Sequence, residues 1–206
     1  MKLNKPNLRD LKKEATAHAL AEAAFELAME RGLNGFVVED VVQRAGYSRR
    51  TFANHFSCKE EAVAGAAIPF HGVDEAAELL ERMPVSALPL DALFQFTKLQ
   101  LTAEYFRKMR KLVSLTQEYP TLVPYILSVH YKLQVGAQEM LNLLFHDRYT
   151  TEYTRLLTSA FTGALLPMFD GSMNVLLPGQ PPEEASGAIA FDAYMDTVFG
   201  YLRNGF

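Results

Sequence analysis

Apolar residues recur at intervals of three and four along most of this chain, the spacing of helices with one buried face. Val and Ile form no alternating runs, and the turn signals stand too far apart for a β-sandwich. The first helix is expected from Leu8 to Arg31. It has Leu20, Ala23, Ala24, Leu27 and Ala28 on one side and Glu22, Glu26 and Glu30 on another, and Gly32 ends it. Two short helices follow, at 38–45 and 49–55. Another starts near Cys58, is interrupted at Pro69 and His71-Gly72, and resumes to Met83. Pro84 and Pro89 bracket a connection. Leu90 to Tyr119 reads as helical, with room for one break. Pro120 to His146 and Glu152 to Met173 give two more helices. The Gly and three Pro of LLPGQPPEE mark a loop, and Glu183 to Asn204 forms the last helix. The expected fold is therefore all-α with about nine helices. Residues 1–62 form a small N-terminal unit and residues 63–206 a larger helical one.

The segment VEDVVQRAGYSRRTFANHFSCKEEA, residues 38–62, carries the most specific chemistry. Val38, Val41, Val42 and Ala45 make one short amphipathic helix. Gly46 supplies a residue for which a left-handed backbone costs little. Ser48 can cap the next helix through its hydroxyl. Phe52 and Phe56 are four apart and share its inward face. Two short helices joined by a glycine turn at this spacing are the layout of a helix-turn-helix. At about 100° per residue, Arg50 and Asn54 point away from the phenylalanines. Thr51 flanks them on one side, Arg49 and Ala53 on the other. Arginine can fork onto guanine O6 and N7, and asparagine can pair with adenine N6 and N7. A helical hairpin with a merely solvated charged face has the same pattern, so these residues by themselves leave both readings open.

Charge sharpens the picture. The net charge of −4 argues against a polyanionic partner, but the distribution is uneven. Residues 1–60 hold ten Lys/Arg against eight Asp/Glu, and residues 61–206 hold ten against sixteen. The positive excess lies at the start, where Lys2, Lys5, Arg9, Lys12 and Lys13 face only Asp10. Such a segment is either a solubilising tail or an arm that tracks phosphate or the minor groove.

Other chemistries find no support in the sequence. With 49% hydrophobic and 21% charged residues, the composition is that of an ordinary globular protein. No apolar run reaches the roughly 18 to 20 residues of a membrane helix, and the start lacks the apolar segment of a secretory signal. A cytoplasmic protein without a membrane contact is expected. The one cysteine, Cys58, excludes an internal disulfide, and no two histidines have metal-ligand spacing. Neither a nucleophile elbow nor a phosphate loop occurs. No catalytic residue, metal or cofactor is expected.

Residues 16–62 resemble the N-terminal DNA-binding domain of the TetR family of bacterial regulators. The first helix matches in Leu20, Ala23, Ala24, Leu27, Glu30 and Gly32, and the second in Val38, Asp40 and Val41. The turn and following helix match in Ala45, Gly46, Ser48, Thr51, Phe52, His55 and Phe56, and Lys59 and Glu60 complete the pattern. The resemblance implies a ligand-responsive, DNA-binding regulator, more often a repressor than an activator. Its DNA-binding residues would be Tyr47, Ser48, Arg49, Arg50, Thr51, Asn54, His55 and Lys59. Arg49, Arg50, Thr51 and Asn54 would meet bases and nearby phosphates. Tyr47, His55 and Lys59 would meet the DNA backbone, Lys59 from the start of the fourth helix. Three positions depart from the family pattern. Val37 stands where a capping Thr is usual and Ala53 where an aromatic touches phosphate. Cys58 stands where Ser is usual, so Ser57 is expected to cap, with Glu60 as its capping-box partner. Cys58 is open to two readings, a plain replacement for Ser or a redox-sensitive thiol at a helix start.

Beyond residue 62 the resemblance extends only to length and helical layout. It implies an unidentified small-molecule effector; a pocket lined by the aromatic residues of 90–173 would suit a hydrophobic or acyl-type one, and Arg107, His130 and Arg155 are candidate polar anchors if their side chains point inward. It also implies a homodimer through the last two helices, which carry Ala160, Gly163 and Ala164, and Gly187, Ala188 and Ala190. Intramolecular packing is the other use for such small residues. Two-fold symmetry would then match a palindromic double-stranded operator. The alternative function is a helical protein-binding adaptor that has lost DNA, which Val37 and Ala53 would allow.

Overall fold

The computed structural model describes residues 8–69, 83–84, 86–181 and 187–205. The described residues form nine α-helices and two 3-10 turns. These are α1 (Leu8–Arg31), α2 (Val38–Ala45), α3 (Arg49–Ala53), α4 (Lys59–Gly65), α5 (Pro89–Gln100), α6 (Ala103–Glu118), α7 (Val123–Phe145), α8 (Thr151–Asp170) and α9 (Phe191–Asn204). The 3-10 turns are Leu33–Gly35 and Pro120–Leu122. An all-α fold is what the periodicity predicts. The helical stretch expected up to Met83 and the basic arm at Lys2 and Lys5 lie outside the described residues.

The described residues fall into two compact units, one made by those up to 69 with 115–130, the other by the rest. In the first, α1 buries Leu20, Ala23, Ala24, Leu27 and Ala28, the face its spacing marks. Val41 of α2, Phe52 of α3 and Ala62 and Val63 of α4 are buried in the same unit, and α1 packs on both α2 and α4. Alanines on α1 and α4 let the two backbones approach closely. The acidic face of α1 is tied to α2 as well. Arg44 binds Glu30 bidentately, at 2.8 and 2.6 Å, and reaches Glu26 at 3.7 Å.

The second unit has its own core of Leu93, Phe106, Leu141, Phe161, Met168 and Met195, among others. The expected helix over 90–119 is broken at Leu101-Thr102, where the Thr102 hydroxyl accepts the Tyr105 N–H at 3.1 Å and caps α6. Gly171, at φ 81°, ends α8 two residues before Met173.

The last helix differs more from expectation. It starts at Phe191, so Gly187, Ala188 and Ala190 precede it and form no small-residue stripe upon it. The cause is a backbone commitment at Ile189. Its N–H bonds Asn174 O and its carbonyl accepts from Leu176 N, both at 2.8 Å. This isolated bridge between Val175 and Ile189 holds the chain extended there.

Candidate nucleic-acid interface

The turn between α2 and α3 is built by two small residues. Gly46 sits at φ 73°, ψ 29°, where a side chain would be strained, and ends α2. The Tyr47 N–H then returns to Val42 O at 2.9 Å. Ser48 is extended at φ −92°, and its hydroxyl oxygen accepts the Thr51 N–H at 3.0 Å. Its Oγ also lies 2.8 Å from Thr51 Oγ1, so Ser48 and Thr51 are locked together. Thus Ser48 is the cap its position predicts.

Two aromatic rings anchor α3. Phe52 is 3% exposed, and its ring centroid lies 5.7 Å from that of Phe56. The Phe56 ring rests on Gly65 of α4, where a Cβ would come within 3.0 Å of it. Regular helix ends at Ala53, two residues earlier than expected, because Asn54 and His55 continue as a hydrogen-bonded turn.

Opposite these anchors the surface is polar and cationic. Arg49, Arg50, Ala53 and Asn54 are exposed, Thr51 is half-buried beside them, and Tyr47 is 38% exposed. Arg50 has no side-chain partner among the described residues. Arg49 does have one: its Nη1 donates to Glu39 Oε1 of α2 at 2.5 Å. His55 is half-buried, and burial, helped by the nearby Lys13 charge, holds its imidazole below the ordinary histidine value. The structure therefore brings Tyr47, Ser48, Arg49, Arg50, Thr51, Asn54 and His55 onto one short turn-helix segment.

Lys59 is turned elsewhere. Its ammonium donates to Leu33 O at 2.7 Å and Phe36 O at 2.8 Å, and lies 5.0 Å from the Phe36 ring centre. Two of its three donors close the turn between α1 and α2, leaving one for any phosphate.

The helix starts on either side depart from the sequence expectation in one place. Val37 has no side-chain acceptor, but the Asp40 carboxylate takes the Val37 N–H at 2.9 Å, which supplies half a capping box. At α4 the cap is Cys58 rather than Ser57: its Sγ accepts the Glu61 N–H at 3.4 Å. Ser57 donates both its N–H and its hydroxyl to Glu61 Oε2 at 2.7 Å, so the box partner is Glu61, not Glu60. Moving the cap by one residue moves its partner by one. Cys58 also hydrogen-bonds the Tyr125 hydroxyl, which holds that phenol above its ordinary value.

Sequence reasoning missed Glu39. The available signal was an acidic side chain in the first turn of α2, but its pairing with Arg49 depends on how the turn folds back.

The second unit offers less. Arg107 and Arg155 are exposed, and His130, held below its ordinary value by burial, belongs to the first unit. A half-buried cation is found instead at Arg110. It donates to Met168 O at 3.3 Å and Val175 O at 2.5 Å and lies over the Phe106 ring, and it acts as a structural clamp. A recess of about 260 Å3 is lined by Met83, Pro84, Ala87, Leu144, Phe145, Asp147 and Arg148. Among the described residues, no group of three His, Cys, Asp or Glu could hold a metal ion, and no helix is long and apolar enough to cross a membrane.

Comparison with known proteins places this geometry. Residues 20–64 match the family model described as bacterial regulatory proteins, tetR family. A relative from Streptomyces glaucescens, the HTH-type transcriptional regulator TcmR, is 35% identical over 91 residues, which cover 44% of this chain and 39% of that one. The matched stretch thus spans about two fifths of that relative's length. The crystal structure of a transcriptional regulator from Rhodococcus sp. Rha1 aligns over 92% of this chain and 96% of its own, at 23% identity and a TM-score of 0.49. The family match runs from the buried face of α1 through the Gly46 turn, the Ser48 cap and the Phe52 anchor into α4, and over these residues the chain is similar to the tetR family of bacterial regulatory proteins.

Proposed function

We propose that this protein is a cytoplasmic transcriptional regulator, not an enzyme, that binds a palindromic double-stranded operator as a homodimer. It acts as a repressor and is released by a small hydrophobic molecule. One observation carries this reading. Arg49, Arg50 and Asn54 are exposed, with Thr51 half-buried beside them, on a short helix and its C-terminal turn whose opposite side is fixed by buried Phe52. A short rigid helix presenting two guanidiniums and an amide suits the major groove, where those groups pair with guanine and adenine edges. The proposed DNA contacts are Tyr47, Ser48, Arg49, Arg50, Thr51, Asn54 and His55, with Lys59 limited to its one spare donor.

Dimerisation is proposed through α8 and α9. Tyr153, Leu156 and Leu166 are 42%, 72% and 43% exposed on α8, Ala160 and Gly163 lie open between them, and Tyr201 is 53% exposed on α9. An apolar stripe of this length is the kind of surface that a second copy covers. Two reading helices would then lie about one DNA turn apart.

The test is binding to DNA from upstream of the protein's own coding sequence, beside a scrambled duplex and at two salt concentrations. Selective binding that weakens steeply with salt and is lost in the Arg49→Ala/Arg50→Ala double variant is expected. If genome-wide selection also recovers no site, the chain is a helical adaptor that has lost DNA.

A further inference from the structure

We propose that Glu39 is a positioning residue for base reading: it holds Arg49 so that the free edge of the guanidinium reads one guanine in each operator half-site. The inference rests on the DNA-binding reading above and specifies which side chain aims the recognition.

The two exposed arginines at the start of α3 are adjacent in sequence but differ in their surroundings. Arg50 has no side-chain partner among the described residues. Arg49 donates from Nη1 to Glu39 Oε1 at 2.5 Å, although both side chains are more than half exposed. An exposed ion pair of this kind adds little to folding stability. The carboxylate also sits on a surface proposed to meet phosphates, where a negative charge weakens binding to every sequence. Neither stability nor general DNA affinity therefore accounts for it. Direction does. A guanidinium carries five donors in a fixed planar fork. With Nη1 engaged by Glu39, rotation about the long side chain is restricted, and the remaining Nε and Nη2 donors keep a defined heading. Two parallel donors in one plane match O6 and N7 of guanine.

The anchor itself is well fixed. Glu39 lies in the first turn of α2, whose start is held by Asp40 on the Val37 N–H. Arg44 ties the far end of α2 to Glu30 and Glu26 of α1. Arg49 is thus aimed from a helix that is clamped at both ends. Two different roles follow for the arginine pair. Arg49, charge-compensated by Glu39, contributes base selectivity. Arg50, uncompensated, contributes phosphate attraction and hence salt dependence.

The experiment uses the full-length protein and a library of duplexes with 24 randomised base pairs (roughly two DNA turns), with bound molecules sequenced. Wild type, Glu39→Ala, Glu39→Gln, Arg49→Ala and Arg50→Ala are compared, each first checked for an unchanged helical spectrum and melting temperature. Wild type is expected to enrich a two-fold motif with an invariant guanine in each half. That guanine should be lost in both Glu39→Ala and Arg49→Ala and kept in Arg50→Ala. The selected-to-scrambled affinity ratio of Glu39→Ala should fall roughly tenfold, within the range for one bidentate base contact, while its affinity for scrambled DNA rises. The salt slope should drop more in Arg50→Ala than in Arg49→Ala. Glu39→Gln keeps an acceptor without the charge and should retain the guanine, so the test survives if Glu39→Ala folds poorly. A Glu39→Ala protein that enriches the same sharp guanine with a ratio within twofold of wild type would overturn the proposal. Failure of wild type to enrich any motif would overturn the DNA-binding reading itself, and the inference with it.

Discussion

Lys59 and Leu33, 26 positions apart in the chain, meet through a 2.7 Å hydrogen bond from the ammonium to the carbonyl, and the same ammonium bonds Phe36 O. A residue whose family position suggests phosphate binding thus also closes the 3-10 turn between α1 and α2. Removing it leaves two carbonyls of a well-packed turn without a donor. Lys59→Met is expected to destabilise the protein by about 1–3 kcal/mol, read as a lowered urea midpoint. If stability is unchanged and only DNA affinity falls, the turn does not depend on this lysine.

Gly32 faces Tyr119 in the same unit. A Cβ on Gly32 would stand 2.5 Å from the Tyr119 hydroxyl oxygen, and Gly32 has φ +71°. Gly32→Ala therefore combines a left-handed backbone, which costs about 1–2 kcal/mol for a side chain, with a clash. Tyr119→Phe removes the clashing atom and leaves the ring carbon at 3.6 Å. The double variant should be more stable than Gly32→Ala alone by thermal denaturation, yet less stable than Tyr119→Phe alone. No rescue would mean that backbone strain accounts for the whole loss.

His55 and His130 make the first unit sensitive to acid. Both imidazoles are held below the ordinary value of 6.5, chiefly by burial. A depressed folded value means that the unfolded chain takes up protons first as pH falls. Their contribution is complete above pH 6.5 and is lost as pH drops toward and through the lowered values. Glu30, lowered by its bond to Arg44, acts in the same direction but below its ordinary 4.5. Melting temperature should fall between pH 7 and pH 5, and the fall should shrink in His55→Gln/His130→Gln. An equally steep fall in that variant would assign the acid sensitivity to other groups.

Ser48 and Phe52 test the recognition helix from two sides. Ser48→Ala removes the oxygen that accepts the Thr51 N–H, a loss of about 1 kcal/mol. Phe52→Ala empties a buried site and should cost about 3–5 kcal/mol. Both are measurable by chemical denaturation. A Phe52→Ala cost near that of Ser48→Ala would mean that the site collapses around the missing ring.

How much of this was legible follows from the range of each interaction. The bounds of α1 and α2 could be read because their determinants are local: a periodic face and a glycine, Gly32 or Gly46, just past the last residue. The Gly46 turn, the Ser48 cap and the Phe52/Phe56 face lie within a dozen residues and were legible for the same reason. The start of α9 was not. Glu183 to Asn204 carries a helical pattern, and the pairing of Ile189 with Asn174 and Leu176, which holds the chain extended at that residue, lies far away in sequence. Arg110 escaped notice because its partners, Met168 O and Val175 O, are backbone atoms that no residue pattern marks. Glu39 was missed because α2 and α3 must fold against each other before it meets Arg49. The cap at Cys58 was placed one residue early because a thiol is a weak acceptor and Ser57 a better one. The geometry nevertheless sets the register, and Ser57 serves Glu61 instead.

The dimer proposal makes its sharpest prediction at Leu156. This side chain is 72% exposed and lies on the same α8 face as Tyr153, Ala160 and Gly163. A charge there should leave the fold intact, because an exposed position has little packing to lose, yet it would be buried unpaired between two copies. Leu156→Glu should therefore keep its melting behaviour at low concentration and sediment as a monomer. It should also lose operator affinity, because two linked reading heads bind far more tightly than one. Leu127→Glu, at a 62% exposed position of the first unit, is the control and should remain dimeric. If Leu156→Glu is dimeric and Leu127→Glu is not, the copies meet through α7 rather than α8, and the spacing of the reading heads must be derived from that face instead.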